Sequence, residues 1–263
     1  MQLAHRFCLT ALAGVLMSVG TPSAEPVVVR HAEGLVHGFL SLRSPEGRLL
    51  ANGDLIQNAR GDRVTSRLVF HFKDGSLSDD TAVFTQRGHF SLISDHLVQK
   101  GPAFEQPLEM TIDRANGHVV VRYTNDHGEA KVEDEQMDLP PDLANGIIIA
   151  LLKNVRRNAL PPSLSLIAAT PKPRLVKLKP RVAGIEAFST AGSTRRAVHY
   201  ELKVDIGGIA GVVAPLVGKQ PPDSHVWIME GEAPAFVRSR APMFNGGPLW
   251  QTDLVSPVWP RGR

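Results

Sequence analysis

The sequence predicts a mostly β protein: a single curved antiparallel sheet, or unclosed half-barrel, with one central helix packed on its concave face. Three observations lead to this fold class. Apolar and polar residues alternate with a period of two in several stretches, of which RLVFHF (67–72) and AVHYELKVDI (197–206) are the clearest. Turn signals such as Asp74-Gly75 and Asn116-Gly117 separate the stretches. One helical pattern lies between two blocks of strands.

The first strand block is predicted to occupy residues 25–136. Its strands are apolar or alternating runs bounded by polar and glycine-containing turns. The predicted strands are Val27–Arg30, Gly34–Arg43, Leu49–Gln57, Arg67–Phe72, Ala82–Arg87, a strand within 89–100, Leu108–Asp113, Val119–Thr124 and Glu129–Glu135.

The central helix is predicted within residues 138–158, with Asp142–Arg157 as its body. Asp138 suits the N-cap, and prolines are tolerated in a first turn, where their missing N–H has no partner to lose. Pro161-Pro162 end the pattern. Two rows of apolar residues predict burial against the sheet: Leu143, Ile147, Leu151 and Val155, and beside them Ala144, Ile148 and Leu152.

The second strand block is predicted over residues 163–256. Neither block alone has an element that closes its sheet, so residues 25–263 are predicted to form one domain. The predicted strands are Ser163–Thr170, Arg174–Lys179, Ile185–Ser189, Ala197–Ile206, His225–Met229, Ala235–Arg240 and Leu249–Val255.

Residues 1–24 are typical of a secretory signal peptide. Arg6 precedes an apolar run from Phe7 to Val19, and a small-residue site predicts cleavage after Ala24. The run is shorter than the roughly 20 residues of a spanning helix, so no transmembrane segment is expected in the mature chain. Cys8, the single cysteine, lies in this leader. The mature protein is therefore predicted to be periplasmic or secreted, with neither disulfides nor thiolate chemistry.

Composition excludes one class of partner. Of the 263 residues, 43% are hydrophobic and 21% charged, as in ordinary globular proteins. The net charge is +3, and it falls to +2 without Arg6. This balance does not predict nucleic-acid binding, which requires a concentrated basic face.

Polar residues that could carry chemistry are densest between His71 and His96. Histidines and carboxylates can bind metals or act as acid and base, but these residues are spread over several strands and turns. Serine-elbow, zinc-protease and phosphate-loop motifs do not occur in the sequence. No catalytic residue, metal or cofactor is therefore predicted, and structural roles are favoured for the cluster: His71, Asp74, Asp79, Asp80, His89, Asp95 and His96.

A curved sheet places the inward side chains of its strands around a common space. Aromatic residues on these strands, together with the helix, either fill an ordinary core or line an apolar ligand site. The candidate lining residues are Phe70, Phe72, Phe84, Phe90, Ile147, Leu151, Trp227 and Phe236. The Gly-rich apolar stretch Gly207–Gly218 is expected either to pack in the core or to form a flap over a ligand.

Several strings resemble an uncharacterised family of exported bacterial proteins: LVFHFKDGSLSDDTAVFTQRGHFSLISDHLVQKGPAF, LPPDLANGIIIALLKN, ELKVDIGGIAGVVAPLVGKQPPDSHVWI and GPLWQTDLVSP. That family is distantly similar to the LolA/LolB-type lipoprotein carriers. The resemblance implies an open antiparallel half-barrel whose concave face is covered by helix, here Asp142–Arg157, and which shields acyl chains.

Three functions follow as hypotheses. The first is an exported protein that binds a lipid or another apolar small molecule under the central helix. The second is an exported hydrolase that uses the His71–His96 cluster, with Asp74, His89 and His96 converging. The third is a non-enzymatic envelope protein that pairs with a protein partner through its strand edges.

Overall fold

The described residues form one large antiparallel sheet and one short helix. The computed structural model describes residues 25–190, 193–205 and 221–255. The predicted leader and the Gly207–Gly218 stretch lie outside them. The elements are β1 (Val36–Arg43), β2 (Leu49–Arg60), β3 (Arg63–Phe72), β4 (Leu77–Thr85), β5 (Ser91–Lys100), β6 (Leu108–Asp113), β7 (His118–Thr124), β8 (Ala130–Gln136), α1 (Ile148–Asn154), β9 (Leu164–Ala168), β10 (Arg174–Thr190), β11 (Ser193–Asp205), β12 (Ser224–Met229), β13 (Ala235–Ala241) and β14 (Trp250–Val255).

The strand order follows from two meanders that meet in the middle of the sheet. Strands β1 to β8 run outward in sequence from the centre, and β9 to β14 return to it, where β14 pairs with β1. The two edges of the sheet are therefore β8 and β9, and the chain crosses between them through α1. This confirms the predicted unclosed, mostly β architecture with one central helix.

The helix is shorter than the sequence pattern predicted. It covers Ile148–Asn154, and Asp138 lies outside it. Gly146 has a φ of +64°, which breaks the helical path before Ile147, and Val155 is extended. Upstream, the chain follows the edge of β9 instead, with the Ala144 N–H donating to the Ser165 carbonyl over 2.8 Å. Prolines and apolar spacing are compatible both with a longer helix and with a segment that follows the edge of β9, so the local pattern does not distinguish the two.

Tertiary packing stabilises this short helix. Seven residues are too few for a stable isolated helix in water, and no side chain caps its N-terminus. Ala150, Leu151 and Leu152 are buried in the main core, as are the preceding Leu143 and Ile147. The segment from Leu143 to Val155 thus fills the concave side of the sheet, which is the role predicted for the longer helix.

The N-terminal segment holds the end of α1. The backbone N–H groups of Arg30 and His31 both donate to the Asn154 Oδ1, each over 2.7 Å. The Lys153 Nζ lies 2.6 Å from a carboxylate oxygen of Glu33, and both side chains are largely buried. These contacts fix the C-terminal end of the helix against residues more than a hundred positions earlier.

Strands β10 and β11 form a long hairpin that merges two predicted strands. The sequence separates Arg174–Lys179 from Ile185–Ser189, whereas β10 runs continuously through Pro180 with a bulge between Val182 and Gly184. A proline within a strand usually indicates an edge because it cannot donate to the ladder. Pairing of β10 with β9 ends at Leu178, so on the β9 side Pro180 lies on a locally free edge, while on the other side it lies opposite Leu202 of β11.

Candidate functional site

The structure disperses most of the His71–His96 cluster. Asp74 and His89 lie at opposite ends of the β4–β5 pair, because β4 runs from Leu77 to Thr85 between them. At roughly 3.3 Å per residue this separates them by about 25 Å. The convergence of Asp74, His89 and His96, on which the hydrolase hypothesis depended, is therefore wrong.

Each of these dispersed side chains has a local role or faces solvent. The Asp74 carboxylate accepts the Ser76 backbone N–H in the β3–β4 turn. His96 bonds Glu109 across β5 and β6 over 2.9 Å, and Asp79 forms a two-fold hydrogen-bonded pair with Arg67. His71 and His89 are exposed.

Asp80 and Asp95 do come together, as a hydrogen-bonded carboxyl pair inside the sheet. Ala82 on β4 lies directly opposite Asp95 on β5, so Asp80, two residues away, is its diagonal neighbour on the same face. The Oδ1 atoms of both are buried and have no hydrogen-bond partner among the described residues. Burial raises the pKa of Asp80 to about 6, and burial together with the Asp80 charge raises the pKa of Asp95 well above its usual range.

This pair retains a proton within the core. Two carboxylates in hydrogen-bond contact cannot both ionise without strong repulsion, so one of them keeps its proton over a wide pH range. Gly146 closes the pair from the helix side, since a Cβ there would lie 2.6 Å from the Asp95 Oδ1. Neither aspartate lines the two cavities described below, so we assign the pair a structural role.

A second polar cluster, Ser165, Lys177 and Asp142, has the composition of a serine–lysine nucleophile. Its geometry, however, is that of a structural hydrogen-bond cluster that links three segments of the chain. Ser165 is fully buried and donates its hydroxyl to the Asp142 Oδ1 over 2.6 Å, while Lys177 donates to the Ser165 Oγ. A hydroxyl with no exposure cannot meet a substrate, so the cluster joins the crossing segment to β9 and β10.

The eight predicted lining residues are all buried, but none lines either of the two cavities. Seven belong to the main core: Phe70, Phe72, Phe84, Phe90, Ile147, Leu151 and Phe236. Their part in ligand binding stays a prediction.

Trp227 differs from the other seven because it lies on the outer face of the sheet. Its neighbours Val226 and Ile228 point into the core, whereas its own ring stacks on His199 with centroids 4.1 Å apart. His199 also contacts His225 and Glu186, each at 3.0 Å, and burial lowers the pKa of His199. Across the described ranges, no three or more metal-ligating side chains converge, here or elsewhere.

A two-part concavity lies at the C-terminal end of α1. An outer cavity of about 690 Å³, here called the mouth, is lined by residues of the β10–β11 hairpin, the β12–β13 turn and Arg157. An inner cavity of about 230 Å³, here called the recess, lies beside it and shares Glu230 and Gly231 with it. The mouth alone falls within the roughly 300–1,000 Å³ of small-molecule sites.

The recess is amphipathic. Its apolar part consists of Leu152 and Val155 from the helix end, with Tyr200 and Ile228 from β11 and β12, all four members of the main core. Its polar part includes Lys153, whose charge is balanced by the buried Glu33 carboxylate. The recess therefore lies between residues of the apolar core and the polar mouth.

Charged side chains surround the mouth. Arg157 lies 3.6 Å from Glu230, which leaves that pair partly neutralised. Arg195 and Arg196, on β11, are exposed and have no hydrogen-bond or ion-pair partner among the residues that the structure describes. Glu232 lies on the turn that also carries Glu230.

Sequence reasoning missed this site because its parts are far apart along the chain. The recess joins residues near 30, 152–155, 200 and 228–234, and no periodicity links them. Two local signals existed: the adjacent pair Arg195-Arg196 at a hairpin tip, and the Glu230-Gly231-Glu232 turn. Both signals are equally typical of ordinary solvent-exposed turns.

Both edges of the sheet are protected from pairing with another strand. At β8, Glu133 and Glu135 lie opposite Val121 and Val119, which are buried, and so place charges on the core side of the edge. Inward-pointing charges on an edge strand discourage edge-to-edge association. At β9, residues 142–145 already occupy the edge. This geometry weighs against the hypothesis of a strand-pairing envelope protein.

No protein-family model and no curated protein matches the chain. Among solved structures it is similar to one titled as a beta-barrel-like protein of domain of unknown function DUF1849 from Brucella abortus. The two share 10% identity with a TM-score of 0.46, over 88% of this chain and 100% of that one. A likeness this slight carries no argument about function. In the described part of the chain, no helix has the length and apolar character to cross a membrane.

Proposed function

We propose that this is an exported, non-catalytic protein that binds an amphipathic ligand such as a lipid at the C-terminal end of α1. The observation that carries the proposal is that the recess, one wall of which is apolar, lies directly beside the polar mouth. Core residues of the helix and of two strands line one wall of the recess, so an apolar ligand group that enters it would be removed from water.

The proposal differs from the original hypothesis in the position of the ligand. The space beneath the helix is occupied by packed side chains of the core, including Ile147 and Leu151. The ligand is placed beside the helix end, where the N-terminal segment and the hairpin leave a cavity. The distant likeness to LolA/LolB-type carriers supports a role in shielding an apolar chain, with α1 as one wall of the site.

The test is to block the mouth without disturbing the core. Ala233 lines the mouth and is exposed, so Ala233→Trp adds bulk there, and Ala130→Trp on the exposed strand β8 is the matched control. Delipidated protein is titrated with a fluorescent fatty-acid probe. We expect binding by the wild type and the control, and clear weakening in Ala233→Trp. Probe binding that is equal in all three, or absent from the wild type, contradicts the proposal.

Export is the second part of the proposal, and it rests on the leader-like residues 1–24. Fractionation of cells that express the full chain, followed by N-terminal sequencing, tests it. We expect a mature protein that begins at Glu25 in the periplasmic fraction or the medium. A chain that keeps Met1 and stays in the cytoplasm contradicts export but leaves ligand binding open to the titration above.

A further inference from the structure

The two free arginines of the mouth identify the polar end of the ligand. Arg195 and Arg196 are adjacent on β11, exposed, and without a partner among the described residues. The third mouth arginine, Arg157, is already engaged with Glu230 at 3.6 Å. The hairpin side of the mouth thus offers two uncompensated positive charges next to the recess, with Arg196 on the same face of β11 as the core residues Val198 and Tyr200 and Arg195 on the other face.

Arginine suits one chemical class of partner. Its planar guanidinium donates two parallel hydrogen bonds to a carboxylate or a phosphate and stays charged at every physiological pH. Two such groups at the exit of an apolar recess complement a molecule with an apolar body and a single anionic end. The acidic residues Glu230 and Glu232 lie on the opposite, β12–β13 side, where they disfavour an anion and leave the hairpin side as its position.

We propose, building on the function proposed above, that the ligand is an anionic amphiphile. Its apolar part occupies the recess against Leu152 and Ile228, and its carboxylate or phosphate contacts Arg196, while Arg195 adds its positive charge from the other face of the strand. This proposal concerns only the recognition of the anion by these two side chains. The binding of the apolar part in the recess belongs to the function proposed above.

The experiment compares ligands that differ only at the polar end. Dodecanoate, dodecyl phosphate and 1-dodecanol have the same chain length, and each is titrated below its aggregation threshold against the delipidated full-length protein by calorimetry. Inorganic phosphate alone tests whether the anion is bound without the apolar chain. We expect the two anions to bind about tenfold or more tightly than the alcohol, since hydrogen bonds to charged groups contribute about 1.5–3 kcal/mol.

The variant is Arg195→Ala/Arg196→Ala. Its matched control is Arg60→Ala/Arg63→Ala, which removes the same charge from exposed arginines flanking the β2–β3 turn. All four positions are exposed, so the fold should be retained, and circular dichroism with thermal melting verifies this. We expect the double variant at the mouth to lose the preference for the anions while still binding dodecanol, and the control to keep it.

The outcomes separate the two proposals. Equal binding of anion and alcohol by the wild type, or a preference that survives in the Arg195/Arg196 variant, overturns the anionic ligand but leaves the apolar recess intact. Phosphate alone binding as tightly as dodecyl phosphate also overturns it, because the arginines would then form a plain anion site. Failure of all ligands to bind overturns the function proposed above, and the anionic ligand with it.

Discussion

The side-chain amide of Asn145 forms both hydrogen bonds that a neighbouring strand would offer to Ile167. The Asn145 Nδ2 donates to the Ile167 carbonyl and its Oδ1 accepts the Ile167 backbone N–H, each over 2.9 Å. Ile167 is in β9, the last strand of the sheet. One buried side chain thus satisfies backbone groups that would otherwise remain unpaired at the edge.

Asn145→Ala should therefore destabilise the protein by about 1–3 kcal/mol, because it leaves a buried N–H and C=O without partners. Asn52→Ala on β2, where the side chain is exposed, is the control and should change stability by less than about 0.5 kcal/mol. Urea unfolding measures both. Equal effects of the two substitutions would show that the amide of Asn145 does not support the edge.

The Asp80–Asp95 pair makes stability depend on pH in a defined direction. The pKa of Asp80 is raised to about 6, and that of Asp95 is raised well above its usual range. The folded state therefore binds protons more tightly than the unfolded chain, whose aspartates titrate near 3.9. The contribution of the pair is complete below the unfolded pKa and is lost as the pH rises through the folded values.

We expect the wild type to lose stability as the pH rises from about 4 to about 6, and Asp95→Asn to lose only the smaller part that Asp80 contributes. The asparagine cannot ionise, and its amide can donate to Asp80. A shift of one pKa unit corresponds to 1.36 kcal/mol, so the difference between the two proteins should change by about 2 kcal/mol across this range. Urea unfolding at several pH values measures it. Parallel pH profiles of the two proteins would contradict a shared proton.

The sheet was largely predictable from the sequence because its strands obey a local rule. Alternation in 197–206 predicted one buried face, and Val198, Tyr200 and Leu202 are indeed buried. The length of the helix was not predictable from local spacing. Gly146 breaks the helical path before Ile147, and the preceding Asn145 is held by a contact with Ile167 on a strand about twenty residues later. Local apolar spacing carries no information about such a partner.

The candidate site was less predictable than the fold, for two physical reasons. Asp80 and Asp95 were noted in one cluster, but their contact depends on the register of β4 and β5, which shifts at a bulge between Val83 and Phe84. A bulge changes which residues face each other and has no reliable sequence signal. The mouth depends on where the β10–β11 hairpin ends relative to α1, a long-range relationship that no motif encodes.

Gly146 should tolerate no side chain. Its φ of +64° is unfavourable for other residues, and a Cβ would lie 2.5 Å from the Ala82 Cβ as well as 2.6 Å from the Asp95 Oδ1. Gly128 has a similar φ of +77° with open space around it. Its substitution therefore measures the cost of the backbone conformation alone, without a steric clash. We expect Gly128→Ala to cost about 1 kcal/mol and Gly146→Ala at least about twice that, measured by urea unfolding. Equal costs would show that the helix entry is loosely packed over the carboxyl pair.

Leu151 tests whether the short helix is part of the core. Its side chain is 2% exposed, and the helix is held by packing, so Leu151→Asp would bury an unpaired charge. We expect the cooperative thermal transition to be lost. Circular dichroism and tryptophan fluorescence, recorded against temperature, measure it. Val132→Asp on the outer side of β8, at a residue 61% exposed, is the control and should melt like the wild type. If Leu151→Asp instead melts within a few degrees of the wild type, the helix is peripheral. The recess, whose apolar wall includes Leu152 from the same helix, would then lose its structural basis.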